Sequence, residues 1–207
     1  MDTYLNNGLS TWNCFLKRLF DIIFSTLGLA ITWWIILIAF LLATIDTRRN
    51  GFYTQERVGR YGYIFKVIKI RTMGDRFNLT TTVTTSHDLR ITRIGRFLRR
   101  FKIDELPQLI NVLLGEMSFV GPRPDVPGFA DKLKGGDRII LSIRPGITSP
   151  ATLKFRGEEE LLAKQKEPEL YNKTIIFPEK VKLNKEYIKN YSFFKDIKII
   201  LSTITKI

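Results

Sequence analysis

Two carboxylates stand side by side at Asp104 and Glu105, directly after Arg99, Arg100 and Lys102. The apolar residues that follow predict a helix, so the pair falls at a helix start inside a basic field. Opposite charges and a helix N-terminus both favour the ionised form, and Asp104 is expected to be a carboxylate at neutral pH. An acidic pair at a helix start also reads as an ordinary cap, and on spacing alone that is the commoner use. What favours chemistry is the set of fixed cations elsewhere. Arg123 lies between Pro122 and Pro124, and Arg144 precedes Pro145. Proline limits the backbone on which each guanidinium is mounted, and arginine grips phosphate oxygens bidentately. Taken singly, each arginine is a solvated surface charge; taken together they argue for an anionic substrate. Other chemistries find no support. His87 is the single histidine and has no partner for a triad, and Cys14 is the single cysteine, so there is no disulfide framework and no Cys/His zinc site. Neither a Walker loop nor Gly-x-Gly-x-x-Gly after a strand occurs.

The elements that must position these residues can be read from periodicity. Gly51 to Gly59 and Tyr63 to Thr72 predict two strands joined by Arg60-Tyr61-Gly62, with alternation placing Lys69 and Arg71 on one face. Asn78 to Asp88 is polar and reads as a mobile loop. Leu89 to Phe101 predicts a helix with a broad basic face. Leu106, Leu109, Ile110, Leu113 and Leu114 predict the next, with Pro107 in its first turn and Gly115 as its stop. Met117 to Val120 predicts a short strand that ends in Gly121-Pro122-Arg123-Pro124, and Arg144-Pro145-Gly146 reads as a second stiff turn. Gly157 to Glu179 is highly charged and reads as an exposed helix and loop. Tyr187 to Ile207 reads as a basic amphipathic helix suited to core packing or to a membrane surface.

The chain has 207 residues and a formal charge of +13, from 33 Lys and Arg against 20 Asp and Glu. That length builds one compact domain plus an extra element, and the charge points to phosphorylated substrates, acidic headgroups or nucleic acid. The whole excess lies from Asp46 onward. Before it, Ile22 to Ile45 carries no charged residue, and as a helix it would be about 36 Å long, enough to cross a bilayer. Length alone favours a single span. Basic pairs flank both ends, however, Lys17-Arg18 and Arg48-Arg49, and Trp33-Trp34 sits mid-segment. Both features fit a re-entrant hairpin with its ends on the cytoplasmic side. The expected organisation is a membrane segment over 1–48 and a cytoplasmic catalytic domain over 49–207. The fold class is α+β and mostly helical: a re-entrant or spanning membrane helix, a small β-hairpin and amphipathic interfacial helices around a compact domain.

Five stretches in order carry a resemblance: Lys17-Arg18-Leu19-Phe20-Asp21; Phe65 to Met73; Asp104-Glu105-Leu106-Pro107-Gln108-Leu109-Ile110-Asn111-Val112-Leu113; Met117 to Pro124; and Arg144-Pro145-Gly146-Ile147-Thr148. They resemble the bacterial sugar transferases known as monotopic phosphoglycosyl transferases, from about Lys17 to the C-terminus. The resemblance implies that Asp104 attacks the sugar-bearing phosphorus of a UDP-sugar and releases UMP, and that Glu105 holds Mg²⁺. Polyprenyl (undecaprenyl) phosphate then displaces the aspartate. Lys69, Arg71, Arg99, Arg123, Pro124, Arg144 and Arg156 become the substrate-binding set. The implied partners are the lipid bilayer and downstream glycosyltransferases, with room for a homodimer and none for nucleic acid. The implied place is the cytoplasmic face of the bacterial inner membrane, at the first step of a surface polysaccharide or other glycoconjugate. Physically the scheme is coherent, because neither a carboxylate nor a lipid phosphate needs a histidine base, and phosphoryl transfer relies mainly on positioning and charge neutralisation.

Two positions depart from the family pattern. Trp33-Trp34 stands where members often carry Ser-Pro, and Asn184 stands at a frequent Asp. Two rival classes remain open: a non-catalytic membrane-tethered protein that binds acidic lipid or nucleic acid, and a glycosyltransferase that releases UDP rather than UMP. The sugar is expected to be read by residues of the segment from Pro150 to Pro178.

Overall fold

The computed structural model of the chain describes residues 8–74 and 88–205. His87 and most of the predicted mobile loop lie outside the described residues. The chain opens with α1, Thr11–Thr47, a helix of 37 residues whose N-terminus is capped by the Ser10 side chain, 3.3 Å from the Asn13 amide. It ends at Arg48, which is left-handed with φ 55°. The predicted hairpin within it is not formed. Trp33 and Trp34 are ordinary helical residues, and the segment has no proline to remove a backbone donor.

One face of α1 is buried along nearly its whole length. Lys17, Asp21, Ser25, Ile36, Ala39 and Ala43 recur at helical spacing and pack on the rest of the chain. From Lys17 to Ala43 this contact stripe runs about 39 Å at the helical rise. The other face is an exposed apolar surface that includes Phe15, Leu19, Ile23, Leu27, Ile31, Trp34, Leu41 and Ile45. Mean hydropathy reaches 2.3 over the most apolar 18-residue window of the helix, long and apolar enough to cross a membrane.

Strands β1, Phe52–Val58, and β2, Ile64–Ile70, form the predicted antiparallel hairpin, with Tyr53 paired to Lys69. Helix α2, Arg93–Arg100, is capped by Thr92, and α3, Gln108–Leu114, ends at Gly115 with φ 85°. Strand β3, Ser118–Val120, runs parallel to β4, Gly146–Thr148. The second proline-arginine stretch is therefore not only a turn; it leads straight into a strand. Gly121 and Gly146 make the crossing feasible, since a Cβ on Gly146 would fall 2.1 Å from the Gly121 nitrogen. Five helices follow: α4, Pro150–Lys154; α5, Glu158–Ala163; α6, Pro168–Tyr171; α7, Phe177–Lys189; and α8, Phe193–Ile204. Tyr187 and Ile188 thus belong to α7, and a break at 190–192 divides the helix predicted as continuous from Tyr187.

Three apolar clusters hold these pieces. The largest joins Val58, Val120, Ile140, Val181, Ile188 and Ile199; another sets Ile36, Ala39 and Ala43 of α1 against Ile70 and Leu98; the third gathers Val67, Val112 and Met117. A buried ionic network fixes α1 at its other end. Lys17 Nζ lies 2.5 Å from Asp196 on α8, and that carboxylate also accepts from the hydroxyls of Tyr187 at 2.5 Å and Tyr191 at 3.3 Å. One turn on, Asp21 accepts from the Ser118 hydroxyl at 3.0 Å and the Phe119 amide at 3.1 Å.

Lys17→Met would leave Asp196 charged and buried without its cation. A loss of about 3 kcal/mol is expected, read as a lowered Tm in detergent or nanodiscs. Combining it with Asp196→Asn should recover much of the loss, because removing both charges avoids the unpaired one. An unchanged Tm for Lys17→Met would show that the network does not hold the helix.

Candidate active site

Asp104 and Glu105 lie in a 3-10 turn, Ile103–Glu105, and not at the α-helical N-terminus expected for them. The reason is local. Lys102 adopts the left-handed conformation, φ 57°, which ends α2 and starts the tighter turn, and α3 begins only after Pro107. A left-handed lysine is uncommon and persists only where its surroundings fix it. Here the Lys102 amide donates to Arg99 O at 3.1 Å, and its carbonyl accepts from the Glu105 amide at 3.2 Å.

Glu105 is the pinned member of the pair. Its Oε1 accepts from Arg123 Nη2 at 2.5 Å and from Lys69 Nζ at 3.2 Å. Burial opposes its ionisation, but Arg123, Lys69 and Lys102 outweigh burial and hold its carboxyl well below the usual range. Arg123 is stabilised as a cation chiefly by Glu105, whereas burial pulls the Lys69 ammonium down. Asp104 behaves in the opposite way. It is 7 % exposed, and burial together with the Glu105 charge pushes its carboxyl up to about 6, against the partial relief of Lys69, Lys102 and Arg99. Its Oδ1 is buried and has no hydrogen-bond partner among the described residues. Charge is thus expected at neutral pH as the sequence suggested, but with less margin, and one oxygen is left uncommitted.

The scaffold of the pair is well determined. Asn111 on α3 accepts from the Ile68 amide at 3.1 Å and donates to Lys66 O at 2.8 Å. This sews α3 to β2, and so sets Lys69 against the turn that carries Glu105. Arg123 is aimed from the other side by the crossing at Gly121, and its Nη1 reaches Ile147 O at 3.3 Å.

Of the predicted substrate-binding residues, Lys69 and Arg123 pair with Glu105, and Arg99 acts electrostatically on Asp104. Arg99 also pairs with Glu159 on α5. Pro124 contributes its carbonyl, which accepts from Arg57 Nη1 at 3.1 Å. The remaining three are placed elsewhere. Arg71 stacks on Tyr53, 5.4 Å from the ring centre, and donates to Asn50 O; the strand alternation holds, but the hairpin end captures the side chain. Arg144 donates to Gly115 O at 2.7 Å and, with Arg18 on Val112 O and Leu113 O, caps the C-terminus of α3. Arg156 donates to Ser202 O and Thr203 O at the end of α8. Free helix-end carbonyls attract these guanidinium groups as a phosphate would.

Sequence reading missed Arg57, Asp125, Glu158 and Lys180. Arg57 lies within electrostatic reach of Arg123 and Glu105. Asp125 follows the Pro-Arg-Pro turn directly, the one local signal that could have nominated it; the other two come from distant helices. Among the described residues no group of three or more His, Cys, Asp or Glu is arranged to hold a metal. A surface groove of about 450 Å³ beside α7, lined by Lys182, Lys185 and Lys189, contains none of the nominated residues.

The site is thus a buried acidic pair set among fixed cations, on a domain clasped to a helix long and apolar enough to cross a membrane. The chain belongs to the bacterial sugar transferase family, a family of transferase enzymes: the family model described as "Bacterial sugar transferase" matches residues 12–207. It is 43% identical over 135 residues to a Bacillus subtilis (strain 168) protein provisionally named an undecaprenyl-phosphate N-acetylgalactosaminyl 1-phosphate transferase, covering 59% of this chain and 75% of that one. It is 35% identical over 203 residues to the UDP-glucose:undecaprenyl-phosphate glucose-1-phosphate transferase of Escherichia coli (strain K12), covering 96% of this chain but only 41% of that protein. Similarity to the exopolysaccharide production protein ExoY of Sinorhizobium fredii (strain NBRC 101917 / NGR234) is 30% over 204 residues, 91% of this chain and 83% of that one.

Asp104 is a weaker acid than an ordinary carboxylate, and stability depends on pH accordingly. Held at about 6 against an ordinary 3.8, the ionised form is disfavoured by folding, so the charge destabilises the protein above pH 6 and does nothing below about pH 4. Asp104→Asn should therefore raise stability at pH 7.5 by about 2 kcal/mol, with the gain vanishing near pH 4. If Asp104 must be ionised to act, wild-type kcat/KM should fall tenfold per pH unit below pH 6. Thermal unfolding and a pH–rate profile check both; a variant less stable than wild type at pH 7.5 would contradict the first.

Proposed function

We propose that this chain transfers a sugar 1-phosphate from a UDP-sugar to polyprenyl phosphate, with release of UMP, through a covalent phosphosugar on Asp104. The observation that carries the proposal is the division of labour in the acidic pair. Glu105 is locked by Lys69 and Arg123, whereas Asp104 keeps a buried oxygen with no partner among the described residues. A nucleophile needs an available lone pair, and a carboxylate already ionised at neutral pH supplies one without a base.

In the first step an Asp104 oxygen bonds to the phosphorus that bears the sugar, and the bond from that phosphorus to the bridging oxygen breaks, so UMP departs with the bridging oxygen and its electron pair. In the second step an oxygen of polyprenyl phosphate attacks the same phosphorus and the aspartyl oxygen leaves as a free carboxylate. Lys69, Arg123 and Arg99 orient the diphosphate and neutralise charge on the transferring group. Glu105 holds Arg123 and Lys69 in place when no substrate is present. Glu105, a carboxylate beside the nucleophile, would hold Mg²⁺ together with substrate phosphates, the ligand set that suits that ion, and bound there it would offset charge on the diphosphate.

The lipid acceptor accounts for α1. A helix that crossed the bilayer would place its two ends on opposite faces. Here Lys17 and Asp21 near one end, and Ala39 and Ala43 near the other, pack on the same catalytic domain. Both ends therefore lie on one side, and the exposed apolar face meets the lipid. This supports a monotopic protein on the cytoplasmic face of the bacterial inner membrane, producing a polyprenyl diphosphate sugar on which downstream glycosyltransferases build.

Purified full-length protein, given Mg²⁺, undecaprenyl phosphate and a panel of UDP-sugars, is expected to release UMP from at least one of them. Asp104→Ala should abolish that release. Release of UDP throughout would show transfer of the sugar without its phosphate and overturn the assignment.

A further inference from the structure

Beyond Arg123 the chain carries a second carboxylate that the mechanism above does not use. Asp125 lies two residues after Arg123, and its main chain is fixed to β1. The Asp125 carbonyl accepts from the Val58 amide at 2.9 Å, and the preceding carbonyl, of Pro124, accepts from Arg57. Its side chain is different. Among the described residues it takes part in no hydrogen bond and no ion pair, although Lys180, Arg57 and Arg123 all act on its charge. Burial nonetheless pushes its carboxyl up to about 6. The residue is half-buried. Of the neighbouring charges Lys180 on α7 acts most strongly on Asp125, and it is held by both oxygens of Glu158 on α5, at 2.7 and 2.6 Å. Acceptor, donor and acceptor thus follow one another across three separate elements, beginning two residues from a guanidinium that would bind the donor's phosphate.

That arrangement matches the chemistry of a pyranose. Sugar hydroxyls both donate and accept, and carboxylates with spare lone pairs beside an ammonium are the groups that read them. Once the phosphorus sits at Asp104, the sugar attached to it must lie within a few bonds of Arg123. The geometry points to Asp125, with Lys180 and Glu158, as the subsite that reads the hydroxyl pattern of the donor sugar. This rests on the phosphosugar reading above. It also moves part of the specificity out of the segment from Pro150 to Pro178, to the residue after the Pro-Arg-Pro turn and to a lysine on α7.

The test uses full-length protein in nanodiscs with undecaprenyl phosphate, Mg²⁺ and four donors: UDP-glucose, UDP-galactose, UDP-N-acetylglucosamine and UDP-N-acetylgalactosamine. UMP release gives kcat/KM for each with wild type, Asp125→Asn and Lys180→Gln. Asp125→Asn keeps the shape and the main-chain contacts but removes the charge; Lys180→Gln changes a separate helix and serves if the first variant does not fold. Loss of a hydrogen bond to a charged group should lower kcat/KM for the preferred donor by about tenfold to a hundredfold. The loss should come mainly through KM, and the preference over the C4 epimer should collapse towards unity. Wild-type preference ratios in both variants, an equal loss on all four donors, or a changed Mg²⁺ requirement with unchanged preference would overturn the subsite. No UMP release by wild type from any donor would instead remove the reaction itself, before any variant is compared.

Discussion

The contact on which the site depends is the double hold of Lys69 and Arg123 on one oxygen of Glu105. It fixes the negative charge of the pair on Glu105, and the neighbouring charge together with burial raises the Asp104 carboxyl. Two adjacent acids thus acquire different roles from their surroundings: one is a strut and the other keeps a free oxygen. Removal of either cation would leave Glu105 buried and poorly compensated and would blur that difference. Much of the fold serves this arrangement. Asn111 registers β2 and Lys69 against α3, the Gly121–Gly146 crossing aims Arg123, and left-handed Lys102 turns the pair inward.

The same economy links catalysis to the membrane. α1 is clasped to the catalytic domain by a buried lysine–aspartate–tyrosine network near one end and by small apolar residues near the other. Its polar and small residues face the protein and its large apolar residues face outward. On the proposed function, the stripe that docks α1 would also lay it along the bilayer, where the lipid phosphate would arrive. On α8, Asp196 and Ile199 are buried in the domain whereas Phe194, Leu201 and Ile204 are exposed, which suits the same surface.

What could be read in advance followed from locally encoded signals. The strand hairpin, the helix read over Leu89 to Phe101 and the stop at Gly115 come from alternation, periodicity and glycine; the hairpin and the stop stand, and the helix forms over the shorter span Arg93–Arg100. Lys69 and Arg123, which pair with Glu105, were both in the set the resemblance implied, and of the two only Arg123 also carried a local signal, its flanking prolines. Three predicted ligands went elsewhere for a reason the sequence does not carry. Arg71, Arg144 and Arg156 found backbone carbonyls at a hairpin base and at helix ends, and only the fold reveals where those carbonyls lie. The 3-10 turn at Asp104 depends on the left-handed conformation of a lysine, which no propensity foretells. Strand β4 is three residues long and is held by a parallel partner 28 positions away in the chain, so no local period announces it. The unbroken course of α1 likewise reflects the absence of a helix-breaking residue at Trp33-Trp34, where the flanking basic pairs and the mid-segment tryptophans suggested a turn.

The most direct examination of the free oxygen on Asp104 is intact-mass analysis, with peptide mapping, of the full-length protein mixed with its UDP-sugar in the absence of polyprenyl phosphate. A mass increase equal to one sugar phosphate, located on the peptide that contains Asp104 and discharged when the lipid phosphate is added, is the predicted result. Lipid-linked product formed at full rate, with no adduct at any time or with the adduct on another side chain, would contradict it.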